Sequence, residues 1–393
     1  MDATKGGERS TAVGSGRKTG LTENRHPKHL RLDISPPASA VRLDGVAARP
    51  ISRSTPGFPP AGGDVDIRTA VYAALDLGTN NCRLLIARPS VDGFRIIDAF
   101  SRIVRLGEGA GVSGRLSDSA MQRTVRALQV CVHKMVRQRV TRARLVATEA
   151  CRTAGNGDDF IALVRRETGI ELEVIDRETE ARLAVAGTAP LFDTSQRDGI
   201  VFDIGGGSTE VMYVTFRNGD YTLRDWVSLP LGVVTLAERH GGVDVPPDAY
   251  AAMVADVARA LQPFVRLIAS AYGVAGRPPG CMLGTSGTVT TIAGVQLELP
   301  RYDRSRVDGC WLTADEIASV TRRLLSMTYE ERTANPCVGR DRADLVLAGC
   351  AILEAILAAW PCPRVRVADR GLREGMLTEL MQQDGTFGRD CGC

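Results

Sequence analysis

The sequence is short of several residues on which enzyme chemistry often depends. Only 4 of its 393 residues are histidine, and only His133 and His240 lie beyond residue 70. That scarcity argues against a histidine-rich metal centre and against a histidine-phosphatase mechanism. Lysine is confined to Lys5, Lys18, Lys28 and Lys134, so the body has almost no lysine for catalysis. The G-x-x-x-x-G-K-[ST] phosphate loop is absent, which excludes a P-loop nucleotidase. Charge of one sign is missing too: 49 Lys+Arg against 46 Asp+Glu leave +3. Residues 1–70 carry 11 basic and 7 acidic side chains, so the remaining body is close to −1 and DNA is not an expected partner. No apolar run is long enough for a bilayer: the longest, residues 345–360, is interrupted by Glu354 and stopped by Pro361. At 16 residues it falls short of the ~20 needed and predicts a buried core helix. The N-terminus lacks a secretory apolar segment, so the expected compartment is the cytoplasm. The 10 cysteines contain no C-x-x-C pair; Cys391-Gly-Cys393 comes nearest, and reduced, mostly core thiols are expected.

What remains is a globular composition, 44% hydrophobic and 24% charged, at a length that suits two or three domains. Residues 1–69 stand apart, with 7 of the 19 prolines and the single aromatic Phe58; they predict a disordered, mildly basic tail. Beyond it, an apolar strand over 71–75 runs into Asp76-Leu-Gly-Thr-Asn-Asn81 and resumes over 83–87. A third strand is expected over 95–103, and helical spacing of Met121, Val125, Leu128, Val132 and Met135 predicts a helix over 117–139. Short strands and helices then alternate, which defines an α/β protein. At 199–202 the opening pattern returns, running into Asp203-Ile-Gly-Gly-Gly-Ser-Thr-Glu210 and a strand over 211–215. The two aspartates are 127 positions apart, which predicts a duplicated α/β domain.

Glycine turns of this kind let backbone N–H groups approach an anion closely. Ser208 and Thr209 add hydroxyl donors, and Asp203 and Glu210 are hard oxygen ligands suited to Mg²⁺ beside phosphate. A third segment, Leu283-Gly-Thr-Ser-Gly-Thr288, leads into a helix whose N-terminus suits an anion. Each segment alone also fits an ordinary hairpin or helix cap; it is their combination that favours a phosphate site.

In order, Asp76-Leu-Gly-Thr-Asn, Ala147-Thr-Glu-Ala-Cys-Arg152, Glu178-Thr-Glu-Ala-Arg182, Asp203 to Glu210, Gly284 to Thr288 and Asp369-Arg-Gly-Leu-Arg-Glu-Gly375 resemble the exopolyphosphatase/guanosine pentaphosphate phosphohydrolase family, of the actin-like ATPase and sugar kinase superfamily. The resemblance spans roughly residues 70–385. It implies two actin-like (ribonuclease H-like) domains, 70–190 joined by a helix at about 374–385, and 191–373, with phosphate bound in the cleft between them. It implies Mg²⁺ and release of the terminal phosphate of polyphosphate, or of pppGpp in the stringent response. Glu180 matches the general base and Arg152 the arginine that neutralises the attacked phosphate. Asp203 and Glu210 match the metal carboxylates. Asp76, Gly78, Thr79 and Asn80 match the first phosphate turn; Gly205, Gly206, Gly207, Ser208 and Thr209 the second; Gly284, Ser286, Gly287 and Thr288 the third.

The sequence departs from the family pattern in several places. Thr79 and Asn81 stand where serines are usual, and Asp176-Arg177 replaces Ser-Gly before the glutamates. Thr235 occupies a position where many relatives have arginine, and the extra helical C-terminal domain of longer relatives is not expected. Three alternatives stand beside the polyphosphate reading: a pppGpp phosphatase, an actin-like kinase with an acceptor site, and a non-catalytic nucleotide sensor. A homodimer is compatible with all of them.

Overall fold

The computed structural model describes residues 69–388. The tail expected over 1–69, all but its final residue, and the cysteine pair at 391–393 lie outside that range. Strands β1 (Tyr72–Leu77), β2 (Asn81–Ser90) and β3 (Gly93–Ile103) form an antiparallel meander. On the other side of β1, β4 (Arg142–Ala147) and then β5 (Glu173–Val174) pair in parallel. The second sheet repeats this plan. Strands β6 (Asp198–Ile204), β7 (Thr209–Arg217) and β8 (Asp220–Leu229) make the meander. Strand β9 (Cys281–Thr285) pairs in parallel with β6. Strand β10 (Trp311–Thr313) closes the far edge, antiparallel to β11 (Arg364–Ala368), which is parallel to β9. The orders β3-β2-β1-β4-β5 and β8-β7-β6-β9-β11-β10 share the same connectivity over their first four strands and a parallel fifth, as expected of a duplicated α/β unit, and the second sheet adds β10 at its edge.

Both central strands read as continuous apolar runs because both their faces are covered. Along β1 the faces alternate: Ala73, Leu75 and Leu77 join one core, and Tyr72 and Ala74 the other. The helices Asp118–Arg137 and Gly157–Thr168 supply the first core. Ser117 caps the former by accepting from Ala120 N at 3.3 Å. The helices Arg177–Thr188 and Leu372–Gln383 supply Leu183, Met376, Leu377 and Leu380 to the second. The helix expected over 345–360 is Val346–Ala359, almost wholly buried in the core of the second sheet. Among the described residues no helix is long and apolar enough to cross a membrane.

The helix Arg177–Thr188 lies between the two sheets, with Ala181, Ala184 and Val185 packed toward Val201, Met212 and Leu283. Its crossing with Leu372–Gln383 requires glycine. A Cβ on Gly187 would lie 1.8 Å from Gly371 O, and one on Gly375 2.1 Å from Leu183 O. Arg182 and Glu379 pair across this contact, and Arg144 Nη1 donates to Glu379 at 3.0 Å. Opposite, Arg105 joins Asp344 at 2.7 Å and Gly109 N donates to Glu238 at 2.7 Å, so the first-sheet loops also hold the second-sheet side.

Candidate phosphate-binding active site

The ends of β1, β4, β6 and β9 open onto one cleft, the usual site for ligands in α/β folds. The first turn is closed by Gly78 N donating to Asn81 O at 2.9 Å, and the second by Gly205 N donating to Ser208 O at 2.9 Å. The turns meet tip to tip. A Cβ on Gly206 would sit 3.0 Å from Thr79 Cβ, and one on Gly207 2.6 Å from Thr79 Oγ1, so only glycine permits the approach. Ser286, with φ 119, caps the third element and accepts from Thr288 N at 3.2 Å. A left-handed serine costs on the order of 1–3 kcal/mol and is tolerated where the surroundings fix it, often at a functional site. The helix Gly287–Gln296 begins here and turns its N-terminal residues to the cleft.

Asp76, Gly78, Thr79, Asn80, Glu180, Asp203, Gly205, Gly206, Gly207, Ser208, Glu210, Ser286, Gly287 and Thr288 all line this cleft. Three residues expected at the site lie behind its wall. Thr209 donates its hydroxyl to Leu231 O at 2.7 Å, as a strand residue turned inward. Gly284 makes room for the Phe202 ring, whose nearest atom would be 2.5 Å from a Cβ. Arg152 is held by protein acceptors: Glu149 Oε2 at 2.6 and 3.1 Å, Ile175 O at 2.6 Å and Glu180 Oε2 at 3.0 Å. These contacts set its guanidinium against the Glu180 carboxyl at the cleft.

The sequence reading missed two cations of the cleft. Arg83 lies on β2 directly opposite Asp76. Arg342 donates to Thr291 Oγ1 at 3.1 Å, and its Cζ would be 3.5 Å from a Cβ on Gly287, against the helix N-terminus. Burial and the nearby Arg83 lower the Arg342 pKa against the pull of Tyr302, Asp369 and Asp341, and among the described residues no carboxylate forms an ion pair with it. Glu149 also lines the cleft; burial opposes its ionisation, but Arg177 and Arg152 outweigh that and hold its pKa down. Of the departures from the family pattern, Asp176 caps the Glu180 helix by accepting from Thr179 N at 2.7 Å. Thr235 is taken up locally, its hydroxyl accepting from Gly232 N at 2.8 Å.

The carboxyls of the cleft are mutually frustrated. Burial, and then Glu210, push Glu180 well above the usual carboxylate range, against the pull of Arg152. Burial raises Asp203 to about 6, and burial together with Asp203 raises Glu210 to about 7. Glu210 Oε1 accepts from Ser228 Oγ at 2.8 Å, and among the described residues neither Asp203 nor Glu210 has an ion-pair partner. Asn80 Oδ1 and Asn81 Oδ1 are buried without a donor. Among the described residues no three His, Cys, Asp or Glu side chains converge as an all-protein metal cage. Asp203 and Glu210 face each other across β6–β7 at the cleft, a carboxylate pair of the kind that suits a hard divalent ion completed by water and phosphate oxygens.

Residues 85–384 match the model of the Ppx/GppA phosphatase family. The chain belongs to that family. Exopolyphosphatase 2 of Mycobacterium tuberculosis is 30% identical over 295 residues, covering 72% of this chain and 89% of that protein. A guanosine-5'-triphosphate,3'-diphosphate pyrophosphatase of Pseudoalteromonas translucida is 30% identical over 318 residues, 80% of this chain. The match spans only 60% of that longer protein. The crystal structure of the Aquifex aeolicus Ppx/GppA family member aligns with a TM-score of 0.66 at 29% identity, over 80% of this chain and 98% of that one. An exopolyphosphatase from Cytophaga hutchinsonii shares the fold, with a TM-score of 0.72 at 24% identity and the same two coverages, 80% and 98%. These relatives establish the two-domain, actin-like α/β architecture of the family for this chain.

Proposed function

We propose that this Ppx/GppA protein is an exopolyphosphatase-type hydrolase that releases the terminal phosphate of inorganic polyphosphate. The enzyme class, a phosphoanhydride hydrolase, follows from family membership. The observation that carries the mechanism is Glu180: a carboxyl of raised proton affinity, 3.0 Å from Arg152, lines the cleft shared by two glycine turns and a helix N-terminus. Raised affinity suits a group that must take a proton from water near neutral pH. A non-catalytic sensor would need the turns but no such base.

Phosphoryl transfer needs positioning and charge stabilisation more than covalent chemistry. The N–H group at Gly287 and those at the tips of the two turns hold the terminal phosphate. Arg342 and Arg83 add the positive charge that a polyanion requires. Glu180, oriented by Arg152, draws the proton from the attacking water, which the turns and the buried Asn80 help to place. Asp203 and Glu210 are the residues that would hold Mg²⁺, which when bound would neutralise charge on the phosphate oxygens. A cytoplasmic enzyme, homodimeric or not, is consistent with this reading. A pppGpp 5'-phosphohydrolase is the second reading, favoured by the Pseudoalteromonas relative and served by the same residues.

Phosphate release from long-chain polyphosphate, pppGpp and ATP with Mg²⁺ tests the assignment. The highest kcat/KM is expected for polyphosphate. A higher value for pppGpp transfers the assignment to the second reading, and no release from any of the three overturns both.

A further inference from the structure

Arg177 is the first residue of the helix Arg177–Thr188, where a cation opposes the helix dipole. Its Nη2 nevertheless donates to Glu149 Oε1 at 2.8 Å. The other oxygen, Oε2, takes Nε and Nη2 of Arg152 at 3.1 and 2.6 Å. Arg152 Nη2 then reaches Glu180 Oε2 at 3.0 Å. The result is a chain of alternating charge, Arg177–Glu149–Arg152–Glu180, with its last carboxyl in the cleft.

The division of Glu149 between two arginines has a geometric consequence. A carboxylate with both oxygens free prefers to grip one guanidinium through two parallel bonds. Were Oε1 vacated, Arg152 could take both oxygens of Glu149, and its Nη2 would leave Glu180. Glu149 is only 7% exposed and its stem faces the Gly207 turn, which limits its swing. The arginine is therefore the part that would move. Arg177 holds this arrangement at a cost, since its Nε is buried without an acceptor.

We propose that Arg177 is a positioning residue that acts through Glu149 to keep Arg152 on Glu180. The inference rests on the reading of Glu180 as the base. Arg177 does not line the cleft, so its loss affects turnover rather than substrate affinity.

The test is steady-state kinetics on the full chain with long-chain polyphosphate and Mg²⁺, for wild type, Arg177→Gln, Arg177→Lys, Glu149→Gln and the double variant Arg177→Gln/Glu149→Gln. Arg177→Gln should lower kcat about tenfold, the scale of a small misplacement at a reacting centre, with KM within about twofold. Arg177→Lys should recover most of the rate. The double variant should be no slower than Glu149→Gln, because the group through which Arg177 acts is already altered. An unchanged kcat, a rise in KM alone, or losses that multiply in the double variant would each overturn the role. Should Arg177→Gln fail to fold, Arg177→Lys decides: a kcat closer to wild type than that of Glu149→Gln supports the role, and a change in KM alone removes it. A wild-type protein that releases no phosphate sinks the functional reading itself. A wild-type rate indifferent to Arg177→Gln sinks only the positioning role.

Discussion

In the first hairpin Asp76 lies opposite Arg83 across the β1–β2 ladder; in the second, Asp203 lies opposite Glu210 across β6–β7. Both partners come 7 positions after their aspartate, so one frame carries opposite charges at equivalent places. The first hairpin contains its own counter-charge: burial raises the Asp76 pKa, and Arg83 is the largest influence pulling it back. The second concentrates two acids, and burial raises Asp203 to about 6 and Glu210 to about 7. A single residue at the equivalent position thus separates a hairpin with its own counter-charge from one that concentrates acid. The duplicated architecture supplies the geometry, and the residue seven places on supplies the asymmetry of charge.

The comparison breaks most severely at Glu180, the carboxyl on which the acidic hairpin presses through Glu210. Glu180→Gln keeps the shape and removes the proton acceptor, and kcat should fall about 10²–10⁴-fold with little change in KM. Next comes Asp203→Asn. Loss of a carboxylate should weaken the response to Mg²⁺ by about 10–100-fold in a titration of activity against the ion, while the fold persists. Retention of the wild-type Mg²⁺ response would remove the second hairpin from the metal assignment. The first hairpin should answer differently: Arg83→Gln should raise KM for polyphosphate about tenfold, with the Mg²⁺ response unchanged, as for loss of a charge-assisted contact.

A smaller effect distinguishes the hairpins without any substrate. Carboxyls with raised pKa bind protons more tightly in the folded than in the unfolded chain. Their stabilising contribution is therefore full below about pH 4 and is lost as the pH rises through about 6 for Asp203 and about 7 for Glu210. Glu210→Gln should consequently melt above wild type at pH 8 without metal, by on the order of 1–3 kcal/mol, and the difference should vanish near pH 4. Equal melting temperatures at pH 8 would show that Glu210 is not strained by its surroundings. Least affected should be Glu178→Gln: Glu178 is exposed and does not line the cleft, so its activity and stability should stay near wild type.

Much of the site could be read from the sequence because its chemistry resides in backbone type. Glycines after a strand-ending aspartate predict close turns wherever the second layer comes from, and the duplicate at Asp203 gives the topology. Strand β8, at one edge of the second sheet, was harder, because it is exposed or half-buried along nearly its whole length. The helix Pro247–Tyr272 contains Pro263, which reads locally as a break. Arg83 could have been found by aligning the two hairpins on their aspartates. Arg342 could not, since a loop arginine in an arginine-rich chain carries no local mark. The motif around Arg152 fixes its place in the chain but not its protein partners. Glu149 lies 3 residues before it and Glu180 28 after, and only the folded chain brings both within reach of one guanidinium.

The contact between Gly187 and Gly375 joins segments nearly two hundred positions apart, with almost all of the second lobe's chain between them. The core that backs β1 includes Leu183 from one of these segments and Met376, Leu377 and Leu380 from the other. Until residues 372–383 have been synthesised, that face of the first sheet has only Leu183 and Ile175 against it and lacks Met376, Leu377, Leu380 and Met381. Maturation of the first lobe therefore waits on the second, since so distant a closure is slow and must follow the intervening strands. The helix that carries Glu180 gains its last support in the same step, so competence for hydrolysis arrives late in biogenesis.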